Sequence, residues 1–270
     1  MSTVLYNVSF PKLGIFLKID PVAFKIGFIQ ARWYGIIIAL GFLLAFLYVD
    51  HRAEKFGLTK NEVMDFTIIA SVCGIIGARI YYVIFYPGDL YKQNPTEIFM
   101  ISEGGIAIYG AIIGGFFGIW LMAKIKGKDI RSVLDLASFA LAIGQSVGRW
   151  GNFVNQEAFG IQTYLPWGMM SENTLFKTVH PCFLYESLGC LICFVFLHFY
   201  SSRVKFKPGT IFLLYTMLYG VLRALIEGLR TDSLIVPGTS VRVSQLLALL
   251  LFVVSAILLL LQNPNKKSHT

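Results

Sequence analysis

Seven apolar stretches alternate with short polar connections along the chain, and each is close to the roughly 20 residues that cross a bilayer as a helix. They run from about 33 to 49, 63 to 86, 104 to 123, 132 to 147, 182 to 200, 209 to 229 and 243 to 261. The predicted fold is an all-α, polytopic integral membrane protein with about seven transmembrane helices. Ahead of the first span, residues 1–30 alternate apolar and polar positions around Pro11, Gly14, Pro21 and Gly27, the pattern of short extended pieces lying on the membrane. In the third span Gly110, Gly114 and Gly118 recur at every fourth residue, a smooth stripe that lets a neighbouring helix approach closely.

Charge in the connections sets direction. His51, Arg52, Lys55 and Lys60 follow the first span, Lys124, Lys126, Lys128 and Arg131 the third, Arg203, Lys205 and Lys207 the fifth, and Lys266 and Lys267 the seventh. Basic connections stay in the cytoplasm, so all four sets share one side when the N-terminus is outside and the C-terminus inside. That orientation makes residues 87–103 an outer interfacial arm and residues 150–180 a small extracytoplasmic cap. The expected organisation is one transmembrane domain, 1–262, with a short cytoplasmic tail, 263–270.

With 56% of its 270 residues hydrophobic and only 14% charged, the chain is not an ordinary soluble domain. The net charge of +8 falls mostly in the connections, where it fixes topology and meets anionic headgroups. The expected partner is therefore the lipid bilayer and not nucleic acid. Cys73, Cys182, Cys190 and Cys193 form no disulfide framework, and the C-x-x-C at 190–193 lies in an apolar span without a second pair to complete a zinc site. The N-terminus lacks the ordered basic, apolar and small-residue regions of a cleaved signal peptide. No internal repeat is visible, which argues against an inverted-repeat transporter.

Given the topology, ionisable residues within the spans gather in their outer halves: Tyr34, Arg79, Glu103, Tyr109, Arg149, His180, Glu186, Tyr219, Arg223, Glu227 and Arg230. Such residues are costly in a membrane and mark function unless they only pair with one another. Tyr219, Arg223, Glu227 and Arg230 are spaced four, four and three apart and so share a helical face, where Arg223 and Glu227 could also form a simple i,i+4 bridge. Arg79, Arg149, Arg223 and Arg230 outnumber the nearby carboxylates. A surplus of guanidinium groups calls for an anion, and phosphate oxygens fit the planar fork.

The densest polar run is Gly148 to Gly160, GRWGNFVNQEAFG. Its Arg149, Asn152, Phe153, Asn155, Glu157 and Gly160 resemble the signature of the prolipoprotein diacylglyceryl transferases. The resemblance extends to Trp33-Tyr34-Gly35, Gly77-Ala78-Arg79, Glu103-Gly104-Gly105 through Gly110, His180-Pro181 through Tyr185-Glu186, and Tyr219 through Arg230, and so covers most of the chain. It implies transfer of the diacylglyceryl group of phosphatidylglycerol to the lipobox cysteine thiol of an exported prolipoprotein. The product is a thioether, glycerol phosphate leaves, and no cofactor or metal is expected. Arg149 and Arg223 are the candidates for stabilising the leaving phosphate. Tyr34, Arg79, Glu103, Asn152, Asn155, Glu157, Gly160, His180, Tyr219, Glu227 and Arg230 are the candidate substrate-binding residues.

Family members often carry a histidine where this chain has Tyr109, so the group that favours the thiolate is open. The alternatives are hydrogen bonding by Tyr109, Glu103 as a base, or the arginine field alone; His180 is either catalytic or a helix-entry residue. A rival function, transport of an anionic solute, predicts polar residues through the inner halves as well, where Asp135 stands almost alone. Gly144-Gln145-Ser146-Val147-Gly148 matches the G-x-S-x-G of serine hydrolases, yet it lies inside an apolar span and not at a strand-to-helix elbow.

Overall fold

The structure, a computed structural model, describes residues 6–27, 29–101, 104–236, 238–239 and 241–262. Glu103, Pro237 and the tail with Lys266 and Lys267 lie outside the described residues. Four short strands come first: β1 (Tyr6–Phe10), β2 (Ile15–Ile19), β3 (Val22–Ile26) and β4 (Ile29–Arg32). Helices α1 (Trp33–Arg52), α2 (Lys60–Ile84), the short α3 (Leu90–Gln93), α4 (Ile108–Lys126) and α5 (Ile130–Val154) follow. After β5 (Met170–Ser171) come α6 (Cys182–Arg203), α7 (Thr210–Glu227) and α8 (Val243–Leu261). Among the described residues, seven helices are long and apolar enough to cross a membrane.

Two expected boundaries move by four residues or more. The third span begins at Ile108 and not at Gly104, because Gly104 and Gly105 have φ of +95° and +74°, which a right-handed helix cannot accommodate. The fourth runs on to Val154, seven residues past the expected end at 147, so the first half of the polar signature is helical. Polarity ends an apolar span; it does not end a helix.

The chain divides into two compact units, residues 49–136 and residues 1–48 with 137–270. In the first, α2 and α4 pack backbone against backbone along the glycine stripe. A Cβ on Gly77 would lie 2.5 Å from the Gly110 carbonyl oxygen, and one on Gly114 would lie 2.1 Å from that of Cys73. Thr59 and Glu62 form a reciprocal capping box that starts α2. Lys128 pairs with Glu62 at 2.9 Å, and Lys126 pairs with Asp65.

In the other unit, β1 pairs antiparallel with β2 and with β5, and β3 with β4. The cap's small core is Val8, Met169, Val179 and Phe183, against which Phe10, Phe153 and Phe159 pack. Below it the helices lock by polar and small-residue contacts. The Ser146 hydroxyl donates to the Ser187 carbonyl at 2.9 Å, and the Ser187 hydroxyl returns to the Ser146 carbonyl at 2.7 Å, tying α5 to α6. Ser146, the central residue of the G-x-S-x-G match, is thus an interhelical clasp. Gly220 brings α7 onto α8, where a Cβ would lie 2.7 Å from the Ala248 carbonyl, and Thr216 bonds Ser255 at 2.7 Å.

Candidate active site

Three helices deliver one ionic cluster. Arg149 lies near the end of α5, Glu186 on the second turn of α6, and Tyr219, Arg223 and Glu227 along the last turns of α7. Glu186 is 1% exposed and accepts from Arg149 Nη2, from the Tyr219 hydroxyl at 3.2 Å and from Arg223 Nη1 at 3.1 Å. Arg223 Nη2 also meets Glu227 Oε2 at 2.6 Å, an ionic contact without the alignment of a directed hydrogen bond. The Arg149 and Arg223 side chains keep 22% and 17% exposure, so neither is fully enclosed by its partners.

The arginine surplus expected from the sequence is not present in this cluster. Arg149 and Arg223 are matched by Glu186 and Glu227, and Arg230 forks onto Asp232 at 2.8 and 2.6 Å. The i,i+4 bridge between Arg223 and Glu227 does form, but it coexists with the longer-range pair to Glu186 and does not replace it.

The signature builds a relay onto Arg149. Phe153 packs into the cap core, 4.9 Å from the Phe183 ring, and so anchors the end of α5. Beyond it Gln156 and Ala158 have φ of 54° and 55°, a strained region for non-glycine residues. They turn Glu157 back to accept from Asn152 Nδ2 at 3.3 Å and Asn155 Nδ2 at 3.2 Å. Asn152 Oδ1 in turn accepts from Arg149 Nη1 at 3.3 Å. Gly151 admits the Tyr34 ring over α5, since a Cβ there would lie 2.8 Å from it.

Gly160, His180 and Arg230 meet at a backbone crossing. Gly160 N–H donates to the His180 carbonyl at 2.8 Å, and Ile161 N–H to that of Leu229 at 2.8 Å. A Cβ on Gly160 would lie 2.8 Å from Cys182 Sγ and 2.9 Å from the Leu229 carbonyl oxygen, so only glycine fits. His180 Nδ1 lies 3.2 Å from the Tyr185 hydroxyl, and burial lowers its pKa below the usual histidine value. The Arg230 guanidinium holds the Asp232 carboxyl below the usual carboxylate range. An open cleft of about 340 Å³ is lined by Gln156, Glu157, Ala158, Phe159, Asn173, Thr231 and Asp232.

Arg79 and Tyr109 belong to the 49–136 unit. Arg79, 6% exposed, spends its guanidinium on backbone carbonyls: Ile98 at 2.8 Å, Gly104 at 2.9 Å, Gly105 at 2.8 Å, and Glu97. Those bonds hold the segment after α3 and explain the non-helical Gly104 and Gly105. The Tyr109 ring lies 6.2 Å from that of Tyr81. Glu103 is outside the described residues.

Sequence reasoning placed Glu186 among the outer polar residues but gave it no role, although it holds the cluster together. The available signal was a carboxylate in an apolar span, which is costly unless paired. Gln145 entered the sequence reading only as part of the G-x-S-x-G match and was given no role; it accepts from the Tyr215 hydroxyl at 2.9 Å and the Cys190 thiol at 3.6 Å, deeper in the same helices. Among the described residues no group of three or more His, Cys, Asp or Glu is placed to hold a metal ion.

Comparison with known proteins gives one result. The family model described as prolipoprotein diacylglyceryl transferase matches residues 21–261. A Finegoldia magna protein named phosphatidylglycerol–prolipoprotein diacylglyceryl transferase is 42% identical over 240 residues, covering 88% of this chain and 94% of that one. A Staphylococcus aureus protein of the same name is 40% identical over 251 residues, covering 89% of this chain and 88% of its own.

Proposed function

The chain belongs to the prolipoprotein diacylglyceryl transferase family, a family of multi-pass cell-membrane proteins, and on that premise we propose that it moves the diacylglyceryl group of phosphatidylglycerol onto the lipobox cysteine of an exported prolipoprotein, the first step of lipoprotein maturation. The thiolate sulfur attacks the glyceryl carbon that carries the phosphate ester. The carbon–oxygen bond breaks, a carbon–sulfur bond forms, and glycerol phosphate leaves with the electron pair. The thiol proton passes to the leaving phosphate or to water, so no redox partner or group carrier is needed.

The observation that carries this reading is the convergence of Arg149 and Arg223, each partly exposed, on the buried Glu186 at the ends of three apolar helices. Guanidinium edges set beside a phosphate oppose the charge that grows as the ester bond breaks, and this lowers the barrier more than it tightens ground-state binding. Asn152, Asn155 and Glu157 orient Arg149 through the relay, and Tyr34 and Tyr219 flank the headgroup. Tyr109 takes part by hydrogen bonding. The site faces outward, with the N-terminus outside and the C-terminus inside.

The test is to incubate membranes containing the protein with phosphatidylglycerol labelled in its acyl chains and a peptide bearing a lipobox cysteine. Label in thioether linkage on the cysteine supports the transferase. Uptake of an anionic solute without labelling supports the transporter.

A further inference from the structure

Among the described residues Glu186 is the one carboxylate that touches both arginines assigned to the phosphate, and it is among the most deeply buried side chains. Its Oε1 takes Arg149 Nη2, the Tyr219 hydroxyl at 3.2 Å and Arg223 Nη1 at 3.4 Å; its Oε2 takes Arg223 Nη1 at 3.1 Å. A carboxylate offers about four acceptor sites, so these contacts nearly fill it. Glu227 holds the other Nη of Arg223 at 2.6 Å, and Asn152 holds the other Nη of Arg149 at 3.3 Å. Each guanidinium is therefore gripped at two points, one of which is always Glu186.

A long side chain has much rotamer freedom to lose, so arginines with one partner would swing. Two arginines sharing an acceptor are fixed relative to each other as well as to the backbone. Their remaining N–H groups are then set at one spacing before any lipid arrives. The charge count agrees: two guanidinium groups against Glu186 and Glu227 leave the empty cluster neutral, so it can exist at a membrane edge without a bound anion.

We infer that Glu186 is the positioning residue of the transfer reaction, acting through Arg149 and Arg223 by holding their forks at the separation that a phosphate ester spans. The inference rests on the transferase reading. It differs from a merely structural ion pair in one respect: what the arginines need is a carboxylate at that point, whether or not it is joined to α6. Glu186→Ala removes a CH2–COO⁻ group, the size and charge of acetate. Acetate should enter the hole and restore the spacing.

The experiment uses the full-length protein in phosphatidylglycerol-containing liposomes with a lipobox peptide. It compares the wild type, Glu186→Ala, Glu186→Gln and Arg149→Ala with and without sodium acetate, against sodium chloride at equal ionic strength. Misplacing reacting groups by about 1 Å costs on the order of a hundredfold in rate, so kcat should fall by about that factor in both Glu186 variants while KM for the lipid changes little. Acetate should raise kcat of Glu186→Ala about tenfold or more and leave Arg149→Ala and the isosteric Glu186→Gln unchanged, since neither has the hole. Wild-type kcat in Glu186→Gln overturns the inference, as does a folded Glu186→Ala that acetate does not rescue. If Glu186→Ala does not fold, the kcat and KM of Glu186→Gln decide alone. A wild-type protein that transfers no label overturns the transferase reading itself, and the inference falls with it.

Discussion

Arg149 and Arg223 share a buried partner but differ in what their loss leaves behind. Removing Arg149 leaves Glu186 still paired with Arg223 at 3.1 Å, so the fold should survive. The developing phosphate charge loses one preplaced donor set, which typically costs about 3–4 kcal/mol, or roughly a hundred- to a thousandfold in rate. Arg149→Ala should therefore accumulate normally and form thioether at that reduced rate; near-normal transfer would remove Arg149 from the reaction. Removing Arg223 is different, because Glu227, with a side chain 2% exposed, loses its charged partner. Stranding a buried charge costs up to about 3–5 kcal/mol. Arg223→Ala should thus lower the yield of folded protein. Arg223→Ala with Glu227→Gln should restore the yield but not the transfer, as measured by detergent-extracted protein and by label on the peptide. Local spacing made the Arg223–Glu227 bridge legible, since i,i+4 pairs follow from helix geometry alone. The pair from Arg149 to Glu186 joins residues 37 apart on two helices, and nothing in one sequence fixes how two helices face each other.

At the scale of elements, hydropathy placed all seven long helices, because an apolar run of that length must hide its backbone hydrogen bonds within itself. Two boundaries were not legible. The start of α4 depends on a tertiary bond pattern, Arg79 donating to the Gly104 and Gly105 carbonyls, and the end of α5 depends on Phe153 docking in the cap core. The glycine stripe on α4 was legible, and its contacts separate it from other helical glycines. A Cβ on Gly114 would meet backbone atoms of Cys73 at 2.1 Å, whereas one on Gly144 in α5 would meet nothing within 4 Å. Gly114→Ala should force α2 from α4 and destabilise by about 1–3 kcal/mol, as overpacking does. Gly144→Ala should be neutral or stabilising by up to about 1 kcal/mol, from helix propensity. Thermal unfolding of the two variants in one detergent checks both signs.

For the whole molecule, acid and topology give separate tests. Burial lowers the pKa of His180, and Arg230 lowers that of Asp232, so for both groups the unfolded chain binds its proton at a higher pH than the folded one. Each contribution to stability is complete above the unfolded pKa and is lost as the pH falls through the folded one. Unfolding temperature should begin to drop below about pH 6.5, the ordinary histidine value, and drop again below about pH 4, the ordinary aspartate value. Asp232→Asn should flatten the second fall and His180→Gln the first. Orientation follows from the basic connections. Tyr164→Cys, at a position 82% exposed, should react with a membrane-impermeant maleimide in intact cells. Lys205→Cys should react only after permeabilisation. Cys182, Cys190 and Cys193 are buried and should add little background.

The buried ion cluster also sets an order of assembly during synthesis. Arg149 leaves the ribosome on α5, and its carboxylate partner follows 37 residues later on α6. An arginine left alone in a bilayer costs about 2.5–3.5 kcal/mol on insertion scales. Arg223 and Glu227 neutralise each other within α7, but Glu186 is satisfied on both oxygens only once α7 has arrived. These three helices therefore reach their lowest energy as a set, and α5 has reason to stay at the insertion machinery until α6 joins it.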